Sequence, residues 1–192
     1  MVNLQKGQNV SLEKVEAGLE KLQIGLGWDT NKYEGGGEFD LDAICFLVGE
    51  DGKVAEGNDK NFVFFNNLTD PSGAVVHMGD NLTGEGEGDD EVINIDLSKI
   101  SDKVEKVVFA VTIFKAKERE QNFGQIMNAF IRVVSPDNGE ELIRYDLSED
   151  YSVETNVKVA ELYKRNGEWK FKAIGGGTTQ SFNDLASEFG AR

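Results

Sequence analysis

The segment Gly79–Glu91, GDNLTGEGEGDDE, concentrates the chain's reactive side chains. From Asp80 to Glu91 it carries six carboxylates (Asp80, Glu85, Glu87, Asp89, Asp90 and Glu91) and no basic residue. Gly84, Gly86 and Gly88 are interleaved with the acids, so the backbone can bend sharply and turn carbonyls inward. Two carboxylates about 7 Å apart repel by roughly 0.6 kcal/mol in bulk water, and by more near a protein surface. A tight fold of this loop is therefore unfavourable unless a cation compensates. Calcium accepts about six to eight oxygens from carboxylates, carbonyls and amides in flexible geometry, whereas magnesium keeps its waters in a stricter octahedron. The pattern suits calcium, with Asn81 at the mouth of the loop. A solvated acidic run is the plain alternative, but it needs no glycine at every second position. An EF-hand does not fit: Asp80 and Glu91 stand at its first and twelfth positions, but Leu82, Gly84 and Glu85 occupy the third, fifth and sixth.

A second acidic feature lies in Phe39–Leu47. Strand alternation puts Phe39, Leu41, Ala43, Cys45 and Leu47 on one face and Asp40, Asp42, Ile44, Phe46 and Val48 on the other. Asp40 and Asp42 then sit side by side at a sheet edge, which is destabilising unless a cation, an arginine or water compensates. Asp29, after Gly25-Leu-Gly-Trp28, can join them across the glycine-rich stretch 35–37. Asp146, Ser148 and Asp150 have the one-three-five spacing of a calcium loop, but Tyr151 stands where a sharp turn wants glycine. His77, three residues before Asp80, is a candidate general base near a metal, although a lone histidine in an alternating strand is more often structural. Cys45 reads as a buried, inert thiol. Arg119, with Gln121 and Asn122, is a candidate anion contact that Arg132 and Arg144 could assist, with pairing of these arginines to the chain's many carboxylates the simpler account.

The elements that must position these residues read at period two. Trp169, Phe171 and Ala173 alternate with Lys170 and Lys172, and Ile143, Tyr145 and Leu147 with Leu142, Arg144 and Asp146. The run Val107–Phe114 is β-branched and apolar on both faces, as expected of a central strand covered on two sides. Asp51-Gly52, Asn138-Gly139 and Asn166-Gly167 sit between alternating stretches and favour hairpin turns. Helix is expected within Ala116–Met127 and at the C-terminus, where Ser181 caps a helix ending at Gly190. The fold class is all-β dominated: a β-sandwich of two sheets with a few short helices, forming one domain over residues 1–192.

Composition limits the partners. The formal net charge of −15 opposes binding to nucleic acid or anionic lipid. A single cysteine and a single histidine exclude an internal disulfide and the zinc sites built from several Cys or His residues. The N-terminus has no apolar signal region and no stretch is long enough for a membrane helix, so a cytoplasmic location is expected.

The chain resembles the TerD family of tellurium-resistance and bacterial stress proteins. The matching motifs are GLGWD (Gly25–Asp29), FDLDA (Phe39–Ala43), FVFFNNL (Phe62–Leu68) and GDNLTGEGEGDDE. They continue with QNFGQIMNAFIRVV (Gln121–Val134), RYDLSED (Arg144–Asp150) and ELYKRNGEWKF (Glu161–Phe171). The resemblance implies a β-sandwich that binds calcium through the acidic loop and has no known catalytic activity. Carried over position by position, the family's loop falls on Asp80, Asn81, Glu85, Glu87, Asp89, Asp90 and Glu91. Its DLD element falls on Asp40 and Asp42, and its Trp-Asp on Asp29. This chain departs from many relatives at Ile44, where they have a small polar residue, and at Glu87, where they have aspartate. The expected function is a non-enzymatic, calcium-dependent binding or scaffold module for stress and tellurite resistance. It would hold two Ca2+ ions and act through other tellurium-resistance or stress proteins. The alternatives are a metal-dependent phosphoesterase using the same carboxylates and, from the family's similarity to a slime-mould protein, a cAMP-binding protein.

Overall fold

The computed structural model describes residues 1–29, 39–79, 88–147 and 151–192. In chain order its elements are β1 (Val2–Asn3), β2 (Asn9–Ser11), α1 (Leu12–Val15), β3 (Lys21–Asp29), β4 (Leu41–Val48), β5 (Phe62–Val63) and β6 (Val75–His77). They continue with β7 (Glu91–Asp96), β8 (Lys106–Ile113), β9 (Met127–Val134), β10 (Glu141–Asp146), β11 (Asn156–Arg165), β12 (Glu168–Thr178) and α2 (Phe182–Glu188). Two six-stranded sheets form, in the orders β1-β10-β9-β3-β7-β6 and β2-β12-β11-β8-β4-β5. Apart from the parallel β1–β10 pair, neighbours are antiparallel. The chain is thus the expected β-sandwich with few helices.

Alternation decides where each face goes. Leu22, Ile24, Leu26 and Trp28 of β3 meet Leu41, Ala43, Cys45 and Leu47 of β4 in the core between the sheets. The other face of β4, Ile44, Phe46 and Val48, joins Val108 and Ala110 of β8 under Leu185, Ala186 and Phe189 in a second apolar cluster. The run Val107–Ile113 is buried on both faces for this reason. Stacked rings of Phe62, Phe46 and Phe189, with centroids 4.5 and 4.3 Å apart, fasten the C-terminal segment to the sheet.

Turn chemistry agrees with the sequence at Asn166-Gly167, where φ of +54° and +79° makes the β11–β12 hairpin. At Asp51-Gly52 and Asn138-Gly139 only the glycine takes positive φ, +77° and +71°. Ser181 caps α2 as expected: the Asp184 N–H donates to Ser181 Oγ (3.2 Å), and the Ser181 N–H donates to Asp184 Oδ2 (3.2 Å).

The helix expected within Ala116–Met127 is instead a series of turns and a single 3-10 turn, Phe123–Gln125, before β9 begins at Met127. Lys115 and Glu120 take φ of +51° and +54°, which a helix does not admit. Asn122 and Gln125 form a capping box around that one turn, and the Phe123 N–H donates to the Glu154 carbonyl (2.9 Å). The Phe123 N–H, which would propagate a helix, is thus already engaged by a neighbouring segment.

No helix among the described residues is long and apolar enough to cross a membrane.

Candidate functional site

Strand direction gathers the described acids at one end of the sandwich. There β3 finishes at Asp29, β4 starts after Asp40, and β7 starts at Glu91, opposite Leu26 of β3. The Trp28 indole Nε1–H donates to the Phe39 carbonyl (3.3 Å), and the Asp90 N–H donates to the Leu26 carbonyl (2.8 Å). These bonds hold the bases of segments 30–38 and 80–87 beside each other.

Asp29, Asp89 and Asp90 lie on the first sheet's side of this end. Asp90 Oδ2 accepts the Trp28 N–H (2.9 Å). Burial raises the Asp90 pKa, the Trp28 bond partly offsets this, and the charges of Asp89 and Asp29 raise it further. Asp90 therefore feels both Asp89 and Asp29. Asp29 is exposed, and its Oδ2 accepts from the Asn128 amide of β9 (2.5 Å). Asp89 lies over Gly25, where an added Cβ would come within 2.2 Å of the carboxylate. Its Oδ1 accepts from Arg132 Nε (2.7 Å), and Arg132 also donates to Glu141 (3.0 Å). That pairing raises the Arg132 pKa, through the bond to Asp89 first. Glycine inside a strand pattern signals close approach of another group, so Gly25 in GLGWD was a legible sign of a neighbour on this face. The identity of Arg132 was not.

Glu91 turns the other way, into the space between the sheets, and is 1% exposed. Its Oε2 accepts the Ala43 N–H (2.6 Å) and lies 3.5 Å from His77 Nε2. His77 Nε2 is 3.1 Å from the Ala43 carbonyl, and Nδ1 accepts the Gly79 N–H (3.2 Å), which places the ring proton on Nε2. Because β5 pairs only with Cys45 and Phe46, no strand among the described residues reaches Ala43 on that side. Glu91 and His77 supply the bonds that a longer β5 would have made. The single histidine is thus a structural group here.

Asp40 and Asp42 are buried, 5% and 4% exposed. Arg119 Nη1 stands 3.9 Å from Asp40 Oδ2, so this arginine faces a carboxylate. Asp42 lies on the outer face of the second sheet, opposite Thr112, and borders a cavity. Asp80, Asn81, Glu85 and Glu87, like Ser148 and Asp150, lie outside the described residues. Cys45 is fully buried, and burial pushes its thiol pKa far up.

Among the described residues no group of three or more His, Cys, Asp or Glu side chains is placed to hold a metal ion. Asp29, Asp89 and Asp90 are nonetheless hard oxygen donors whose mutual repulsion a calcium ion would relieve, so in chemical kind they fit it. Closing a coordination sphere around one would require oxygens from segment 80–87.

A family model described as a TerD domain matches residues 1–189. General stress protein 16U of Bacillus subtilis (strain 168) is 52% identical over 189 residues, covering 98% of this chain and 97% of that protein. Tellurium resistance protein TerD of Serratia marcescens is 48% identical, again over 98% and 97% of the two chains. A crystal structure of a TerD homologue from Streptomyces coelicolor A3(2) superposes with a TM-score of 0.71 at 22% identity, covering 91% of this chain and 99% of that one, a likeness of fold.

Proposed function

The chain belongs to the TerD domain family, whose members include stress and tellurium-resistance proteins, and from that premise we propose that it is a calcium-ordered binding module of the cytoplasm. The supporting observation is the placement of Asp29, Asp89 and Asp90. Asp29 and Asp89 both act on the Asp90 carboxylate, which flanks a segment carrying Asp80, Asn81, Glu85 and Glu87. Asp29, Asp90 and the segment's oxygens would hold the ion. Asp89, fixed by Arg132, adds charge beside them. Glu91 is assigned to fastening the sheets, and Asp42, which faces the other sheet's cavity, stands apart.

The ion would supply positive charge that lets crowded carboxylates stay together, ordering a surface on which other stress or tellurium-resistance proteins dock. A binding role without catalysis agrees with the burial of His77, whose ring nitrogens are engaged by Ala43, Glu91 and the Gly79 N–H. At 2% exposure the ring presents neither nitrogen to a substrate.

Calorimetric titration with calcium and, separately, magnesium tests the reading, on the unaltered chain and on Asp90→Asn. Calcium should release or absorb heat saturably and raise the melting point. Stabilisation of about 2.7 kcal/mol is expected when free calcium is a hundred times Kd. The stoichiometry counts the ions, expected to be two. Asp90→Asn should weaken binding. Absence of calcium heat together with a melting point indifferent to EGTA would overturn the proposal.

A further inference from the structure

We propose that the cleft on the outer face of the second sheet, beside α2, binds a small organic ammonium compound anchored by Asp42. The cleft encloses about 780 Å³, within the roughly 300–1,000 Å³ typical of small-molecule sites. Its floor is a row of directly opposed residues on three neighbouring strands, Asp42, Thr112 and Asn156. They are 4%, 2% and 3% exposed. One step along the same face the row becomes Ile44, Ala110 and Lys158, the first two part of the apolar cluster under α2 and the lysine donating to Glu188. A sheet face that turns polar while it is still buried must satisfy its groups by hydrogen bonds, as Asn156 does by donating its amide to the Gln180 carbonyl and Thr155 Oγ1. Here that polar row borders open volume.

Phe65, Phe114 and Phe182 also line the cleft, with ring centroids of Phe65 6.5 Å from Phe114 and 6.4 Å from Phe182. Aromatic faces attract cations, and the protein's own cations already use one of them: Lys115 Nζ and Arg119 Cζ each lie 5.3 Å from the Phe114 centroid. A carboxylate offers about four acceptor sites, so a ligand ammonium adds to the contacts Asp42 already makes. Lys115, Lys117 and Glu118 are exposed at the rim, where water and salt screen them. The net charge of −15 raises the local concentration of cations. Depth therefore selects a positive head with N–H donors, and the phenyl walls select an apolar body.

The test is calorimetric titration of the full chain with 2-phenylethylamine, beside 2-phenylethanol as the uncharged match, in calcium and again in EGTA. The amine should bind saturably at one site in both buffers, and the alcohol about tenfold or more weaker. Asp42→Asn should lose about 10- to 100-fold, the scale of a hydrogen bond to a charged group. Thr112→Val, close in shape, and Phe114→Leu should each weaken the amine several-fold. Melting curves establish that each variant is folded. If Asp42→Asn does not fold, unchanged affinity in the other two variants overturns the assignment. So do equal binding of amine and alcohol, unchanged affinity in folded Asp42→Asn, absence of saturable binding, or occupation of the cleft by inorganic phosphate through the rim lysines.

Discussion

Replacing Glu91 by leucine separates two roles that this carboxylate could have at the end of the acidic segment. In the structure Glu91 Oε2 accepts the Ala43 N–H at 2.6 Å, and β5 pairs only with Cys45 and Phe46. With leucine at position 91 the Ala43 N–H keeps no acceptor in a region that is 1% exposed at Glu91 and 2% at His77. An orphaned buried donor costs about 1–3 kcal/mol, and leucine's similar volume limits any added cavity cost. The expected loss is about 2 kcal/mol, or roughly 4–8 °C in melting temperature for a chain of this size. Glutamine keeps an amide oxygen in the same place, so Glu91→Gln should lose less than about 1 kcal/mol. The assay is urea denaturation in EGTA, with the midpoint shifted and the slope unchanged. EGTA is the decisive condition, because a ligand acting only through calcium leaves metal-free stability alone. If Glu91→Leu retains its metal-free stability yet loses calcium heat, Glu91 is an ion ligand and the fastening role fails.

Three other outcomes follow from the same geometry. Asp90 has a raised pKa, so the native state favours its protonated form: that contribution is present below the ordinary value of 3.8 and fades as pH rises through the higher folded value. In EGTA, Asp90→Asn, whose amide oxygen still accepts the Trp28 N–H, should gain melting temperature over the parent at neutral pH and none near pH 3; equal gains at both would contradict the repulsion. Gly25→Ala places a methyl 2.2 Å from the Asp89 carboxylate and should cost about 1–3 kcal/mol through overpacking, with Asp89→Ala in the same chain recovering part of it in denaturation curves. Cys45, buried and with its thiol pKa pushed up, should react with a thiol reagent only at the rate of unfolding; fast labelling of the native protein would show that the site opens locally.

The faces of β4 were readable from alternation because each touches a separate apolar cluster, so both halves of the pattern carry a signal. Charge and glycine spacing marked the acidic segment, most of which lies outside the described residues. What could not be read was which oxygens the protein already uses. Arg132 is 43 residues from Asp89 in sequence, and only the β3–β9 register brings it over Gly25. The partner of Glu91 is a backbone N–H, which has no side-chain signature at all. The segment after β8 misled for a related reason. Its composition is compatible with helix, but Phe123 N–H is committed to Glu154, and Lys115 and Glu120 take left-handed φ.

These engaged groups explain how an end so rich in negative charge can still be folded. Arg132 holds Asp89, Arg119 faces Asp40, the Trp28 N–H fixes Asp90, and Ala43 with His77 takes Glu91. Each contact neutralises or orients one acid at the base, and each belongs to a strand or to a segment packed against one. The sequence of segment 80–87 adds further acids and contains no basic residue. On the proposed reading, a cation would meet acids at the base whose positions are already set, so little of its binding energy would be spent on ordering the base. Removing the anchors should thus weaken calcium binding even where the anchor is not a ligand. Arg132→Gln is the sharpest case, because deleting a positive charge beside the site would strengthen cation binding on Coulomb grounds alone. A lower calcium affinity in Arg132→Gln, measured by calorimetry, would show that positioning outweighs charge; a higher one would show the reverse and remove Arg132 from the architecture of the site.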